Sequence, residues 1–218
     1  MRLKGFAPSS GFISLALLVI ALFPMRVFAS EPTDVLEPPS CRFSAEFEQN
    51  RAFPDGVNFI SVGGQFYFDC HQGLVWSIKR PITSSQVFNL DGEMYLVGPD
   101  DLVTQLKNPV QRQVGSLLTS LLSGDAEALR RKFEFELKDG NLVLEPRSVM
   151  LSRAIRRIAV RHGATSFDRE LLIEQTDEQR VSIRIQNVSV LDSSNDGHAD
   201  CSISLGEQSD AACGVLFR

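Results

Sequence analysis

Cys41 and Cys70 stand at equal distances on either side of the dipeptide Asp55-Gly56, and no other feature of the chain narrows its possible folds as much. Asp-Gly is favoured in two-residue hairpin turns. A turn centred there brings residues whose numbers sum to 111 face to face, and Cys41 and Cys70 are such a pair. The same register sets Phe43 opposite Phe68, Ala45 opposite Phe66, Phe47 opposite Gly64 and Gln49 opposite Val62, and it sends Ser44, Glu46 and Glu48 to the other side. Side chains alternate between the faces of a strand, so a slip by one residue would exchange the apolar and polar faces. The cysteine match and the hydrophobic match thus support one register from separate premises. The other two cysteines, Cys201 and Cys213, are expected to close a second, C-terminal hairpin.

Disulfides belong to exported chains, and the N-terminus reads as an export signal. Arg2 and Lys4 precede an apolar run from Phe12 to Phe23, and Val27-Phe28-Ala29 supplies the residues a signal peptidase reads. Residues 1–29 are expected to be a signal peptide, residues 30–40 a Pro-rich N-terminal segment with Pro32, Pro38 and Pro39, and residues 41–218 one domain. The apolar run is shorter than the about 20 residues that span a bilayer. No Cys follows the cleavage site, so a soluble periplasmic product without a lipid anchor is expected. Losing the three basic residues of the signal moves the net charge from -5 to -8, which argues against nucleic acid as a partner.

The stretch "GGQFYFDCHQGLVWSIKRP" (63–81) sets Phe66, Phe68, Leu74, Trp76 and Ile78 on one face of two strands. "SSQVFNLDGEMYLVG" adds two more strands around Asp91-Gly92. The period then changes. From Pro109, a favoured first helical residue, Val110, Val114, Leu117, Leu118, Leu121 and Leu122 recur at helical spacing until Ser123-Gly124, and Asp125 caps a short second helix, "DAEALRRKF". In "FEFELKDGNLVLEP" the turn Asp139-Gly140 sets Phe135 opposite Leu144 and Leu137 opposite Leu142. Segments 155–161, 167–175, 180–190, 199–205 and 214–217 read as further strands. The order predicts an α+β fold, an antiparallel sheet with helices on one face. Helix 109–123 is the strongly apolar amphipathic element available to cover that face. Such stripes usually belong to permanent core, although the Gly-Ser breakers at 115–116 and 123–124 would also suit a lid.

At these residues the chain resembles the LolA-like outer-membrane lipoprotein carriers, through "FSAEFEQ", "GGQFYF", "GLVWSIKRP", "LDGEMYLVGP", "LLTSLLSGD", "FEFELKDGNLVLEP" and "IRRIAVRHG" in that order. The resemblance implies a curved antiparallel half β-barrel of about eleven strands with lid helices over an apolar concave face that binds acyl chains. It places Phe43, Phe47, Phe66, Phe68, Leu74, Trp76, Ile78, Phe135 and Leu144 in the cavity and Val114, Leu117, Leu118, Leu121 and Leu122 in the lid. It implies a monomer carrying acylated lipoprotein or lipid cargo from an inner-membrane transporter to an outer-membrane acceptor. An RseB-like periplasmic sensor, or an enzyme on the same half-barrel, is the alternative. The family's lid-binding Arg-Pro pair is replaced by Cys70-His71, and the prolines of 30–40 leave no room for an N-terminal lid helix.

Catalytic chemistry finds little to work with. His71, His162 and His198 lie outside HExxH, GxSxG and CxxC contexts, so no catalytic residue, cofactor or metal is expected. "DSSNDGHAD" (192–200) alternates oxygen ligands with a Gly, but Ile203 stands where a calcium loop needs its closing Glu. The cationic residues Arg130, Arg131, Lys132, Arg153, Arg156, Arg157 and Arg161 read as a solvated face, or else as a rim for phosphate or carboxylate groups.

Overall fold

β1 (Arg42–Ala52) and β2 (Phe59–Asp69) pair in the register the cysteines demand: Arg42 faces Asp69, Phe43 faces Phe68, and Phe47 faces Gly64. The turn is wider than two residues, because Phe53 N donates to Asn58 O and Gly56 N to Phe53 O, but it keeps the same centre and therefore the same register. Cys41 and Cys70 are bonded across the hairpin's base, with Cα atoms 5.0 Å apart.

A computed structural model of the chain describes residues 33–107, 109–165, 167–192 and 194–218; the expected signal peptide lies outside them. The chain continues through β3 (Gly73–Arg80), β4 (Ser84–Asn89), β5 (Met94–Val97), β6 (Val103–Gln105), α1 (Pro109–Leu122) and α2 (Ala126–Lys132). After these come β7 (Phe133–Lys138), β8 (Asn141–Pro146), α3 (Val149–Ser152), β9 (Ile155–His162), β10 (Arg169–Gln175), β11 (Arg180–Val190), α4 (Gly197–Leu205) and α5 (Asp210–Leu216). Among the described residues eleven strands form one open antiparallel sheet in the order β6-β5-β4-β3-β2-β1-β11-β10-β9-β8-β7. This is the curved half-barrel α+β architecture. At Asp139-Gly140 both turn residues have positive φ, 52° and 76°, and Phe135 faces Leu144 as the turn chemistry predicts.

Three expectations fail. Residues 199–205 and 214–216 are helical, not strands, and Phe217 caps the second helix. Asp196 accepts a hydrogen bond from His198 N and caps α4 rather than forming a hairpin turn. Cys201 and Leu205, four residues apart, are buried while Ile203 between them is 81 % exposed, which is helical spacing. The Cys201–Cys213 bond therefore joins α4 to α5 and closes no hairpin. Finally, helices cover both faces of the sheet. Tyr67, Val75, Val87 and Val97 point to the outer side and pack with Cys201, Leu205, Ala212, Cys213, Val215 and Leu216 of α4 and α5. The short strand β6 and the one-turn helix α3 are further elements without a clear sequence signal.

Arg42 holds this outer layer to the sheet. Its Nε donates to buried Asp69 at 2.9 Å, and its Nη1 donates to the carbonyls of Asp192 and Asn195 and to the Asp200 carboxylate. A guanidinium thus engages the oxygen-rich 192–200 segment. Tyr67, also under this layer, is fully buried, and its hydroxyl has no hydrogen-bond partner among the described residues. Desolvation pushes its pKa well up. Tyr67→Phe removes that unmet polar group and keeps the ring, so it should raise stability by about 1 kcal/mol or leave it unchanged, read from urea melts; a clear loss would mean that the hydroxyl is satisfied.

Candidate functional site

The inner face is built by alternation on five adjacent strands. Phe43 and Phe47 come from β1, Phe66 and Phe68 from β2, Leu74, Trp76 and Ile78 from β3, Phe88 from β4 and Met94 from β5. Phe66 faces Trp76 and Phe68 faces Leu74 across the ladder. Phe47 faces Gly64, which in turn faces Ile78. Since Gly64 has no side chain, Phe47 leans across it and stacks on Trp76 with centroids 3.9 Å apart. A Cβ at Gly64 would lie 2.0 Å from the Ser77 carbonyl oxygen, so the close strand approach at this bulge excludes other residues. Phe66 stacks on Trp76 at 5.4 Å, and Phe43 meets Phe66 edge-on at 5.8 Å. Such pairs add about 0.5–1.5 kcal/mol each beyond their buried area.

Of the residues placed in the cavity from the sequence, Phe43, Phe47, Phe66, Phe68, Leu74, Trp76 and Leu144 are buried, and Ile78 and Phe135 are partly buried against the same cluster. On α1, Leu117, Leu121 and Leu122 are buried against this face and Leu118 is partly so. Val114 departs from the expectation: it is 48 % exposed and does not join the buried side. The helix meets the sheet at Gly115 instead, where a Cβ would lie 2.1 Å from the Phe88 ring. The rings around Trp76 are covered in this arrangement. Between α1 and the β4–β5 hairpin lies an open cleft of about 390 Å³ lined by Phe68, Phe88 and Met94 and by the polar and charged residues Asn89, Glu93, Arg112, Ser116, Thr119 and Asp125; Trp76 does not line it.

A second cover comes from the N-terminal segment. In place of a lid helix, Asp34–Leu36 makes one 3-10 turn that buries Val35 and Leu36 in the inner cluster. Arg169, at an inner-face position of β10 in line with Leu171 and Ile173, donates to Val35 O and, at 3.1 Å, to Glu37 O. Burial depresses the guanidinium's pKa, which the neighbouring Asp168 and Glu37 oppose. Gly124, with φ +67°, lets the end of α1 come against the Leu36 carbonyl, since a Cβ there would sit 2.7 Å from that oxygen. Arg169 escaped the sequence reading. Its signal was an Arg at an apolar position of an alternating strand, "RELLI".

The other sequence candidates resolve into structural roles. Cys70 is oxidised with Cys41, so no thiolate stands beside the exposed His71. Much of the cationic run is paired internally: Arg157 binds Glu174 through two nitrogens at 2.9 and 2.7 Å, Arg131 meets Glu127 at 2.9 Å, Lys132 donates to Ser116, and Arg130 lies over the Phe135 ring.

No family model and no curated protein matches the chain. Solved structures similar to it include a LolA superfamily protein from Nitrosomonas europaea, 11 % identical with a TM-score of 0.44, covering 74 % of this chain and 91 % of that one. A DUF1329 family protein from Desulfovibrio piger is 12 % identical with a TM-score of 0.48, covering 80 % and 95 %. A structure described as an outer membrane lipoprotein-sorting protein domain, from Vibrio parahaemolyticus, is 8 % identical with a TM-score of 0.45, covering 85 % and 95 %. The chain is similar to each of these three structures over most of its length.

Proposed function

We propose that the chain is a non-enzymatic periplasmic carrier that holds the acyl chains of a lipoprotein or lipid on its inner face and gives them up at the outer membrane. The observation that supports this reading is the continuous apolar inner face beneath α1 and the N-terminal turn, with a cleft beside α1 that reaches Phe68 and Phe88. Acyl chains entering there gain about 25 cal/mol per Å² of apolar surface buried, offset by the cost of displacing α1 and the N-terminal strap. An inner-membrane transporter and an outer-membrane protein would serve as donor and acceptor.

Mass spectrometry of lipid extracted from the natively purified protein tests this reading. Stoichiometric acylated lipid is the expected result, and a lipid-free protein that also takes up none on incubation would contradict it. Arg169→Gln should loosen the strap. It removes two charge-assisted donors to backbone carbonyls, each worth about 1.5–3 kcal/mol, and should raise hydrogen exchange at residues 33–37 and speed lipid uptake. Unchanged exchange there would show that Arg169 does not hold the cover.

A further inference from the structure

The Cys41–Cys70 bond stands at the root of the N-terminal cover as well as at the base of the β1–β2 hairpin. Four residues, Glu37 to Ser40, separate Cys41 from the 3-10 turn that buries Val35 and Leu36. Two of them are the consecutive prolines Pro38 and Pro39. Proline fixes φ and has no N–H to donate, so such a segment stays extended and semi-rigid at about 3 Å per residue. The Ser40 hydroxyl bonds to its neighbour Arg42, and among the described residues the hydrogen bonds of 38–40 are local. The end of α1 rests on the same segment, since a Cβ at Gly124 would lie 2.7 Å from Leu36 O and 2.8 Å from Pro38 Cδ. Ser123 and Asp125, on either side of Gly124, line the cleft beside α1 together with Cys70.

We infer that the Cys41–Cys70 bond is a redox-sensitive latch, which fixes the N-terminal strap and through it the end of α1, and whose reduction by a dithiol loosens both covers of the inner face together. With the bond intact, Cys41 is pinned to the end of β2, and the stiff Pro-Pro segment carries that fixed point to Leu36. With the bond open, the hydrogen bond from Cys70 N to Cys41 O is what remains at that point. The next residue, Arg42, stays held by Asp69 at 2.9 Å and paired with it across the ladder. The hairpin therefore keeps its register, and the new freedom falls on the strap. Access separates the two disulfides. Cys201 and Cys213 are completely buried, whereas Cys41 and Cys70 are half-buried and Cys70 lines the open cleft. A thiolate entering there attacks Cys70 Sγ, and Cys41 leaves as a thiolate that takes up a proton. The second thiol of the reductant then displaces Cys70 from the mixed disulfide, and the reductant departs as its own disulfide, two electrons having passed to the cysteines.

As regulation of lipid access the latch rests on the carrier reading, and hydrogen exchange on the lipid-free chain separates the two. Cys41→Ser/Cys70→Ser should exchange about tenfold faster than the oxidised parent at residues 34–37 and 119–125, as a local opening does. Cys201→Ser/Cys213→Ser also loses a loop closure, but it should match the parent at those residues, which distinguishes a released cover from a weaker fold. Dithiothreitol should open Cys41–Cys70 before Cys201–Cys213, read by alkylation and mass spectrometry, and should reproduce the exchange pattern of the first variant. Uptake of a dansyl-labelled fatty acid should quicken by a similar factor. Faster exchange at 34–37 with no uptake by any form would support the latch and count against the carrier. Equal exchange at 34–37 in the parent and the first variant, or opening of Cys201–Cys213 first, would overturn the inference.

Discussion

Replacing Arg42 by Met should lower stability by about 3–5 kcal/mol, the usual cost of removing one partner from a buried ion pair. The Arg42 and Asp69 side chains are 11 % and 3 % exposed, so the carboxylate would be left in the interior with its hydrogen bond from His71 N but no countercharge. The same guanidinium satisfies the carbonyls of Asp192 and Asn195, so the substitution should also loosen α4 from the outer face. Urea melts report the first effect and hydrogen exchange over residues 192–205 the second. A loss below about 1 kcal/mol, typical of solvated pairs, would mean that Arg42 does not fasten the C-terminal layer.

Opening the Cys41–Cys70 bond by the double Ser substitution should cost about 3.6 kcal/mol on loop-closure entropy, given 29 residues of separation. Opening Cys201–Cys213, separated by 12, should cost about 2.8 kcal/mol. Their order is the stronger expectation, because the first bond fastens the hairpin at the centre of the sheet and the second only staples two short helices in an outer layer. Equal or reversed losses in paired melts would show that α4 and α5 stabilise the sheet more than its central hairpin does.

What could be read from the sequence follows the range of the interactions involved. The β1–β2 and β7–β8 registers and the two central helices depend on turn chemistry and periodicity within about thirty residues of chain, and they are as expected. The aromatic inner face was legible for the same reason, since Phe66, Phe68, Leu74 and Trp76 belong to one hairpin. The outer layer was not. "CSISL" alternates like a strand, whereas the Asp196 cap and packing on Tyr67 and Val75, more than a hundred residues away, go with a helix. One clue existed in Leu74-Val75-Trp76, a continuous apolar run that a sheet buried on both faces requires. Arg42 and Arg169 act over 150 and 134 residues of separation, and the cavity depends on how Gly115 meets Phe88. Apart from the Arg at an apolar position of "RELLI", none of these leaves a local pattern.

Contact quenching of Trp76 by brominated acyl chains tests most directly whether the inner face takes lipid. Trp76 is the single tryptophan, is 4 % exposed and stacks on Phe47 and Phe66, so a chain must enter the inner cluster to reach it. If the helix and the strap admit acyl cargo, emission should fall saturably with brominated lipid, while the unbrominated lipid should compete the quenching away. Emission that stays constant while the folded protein binds the same lipid, or fails to bind it at all, would contradict the carrier and leave α1 as a fixed part of the core.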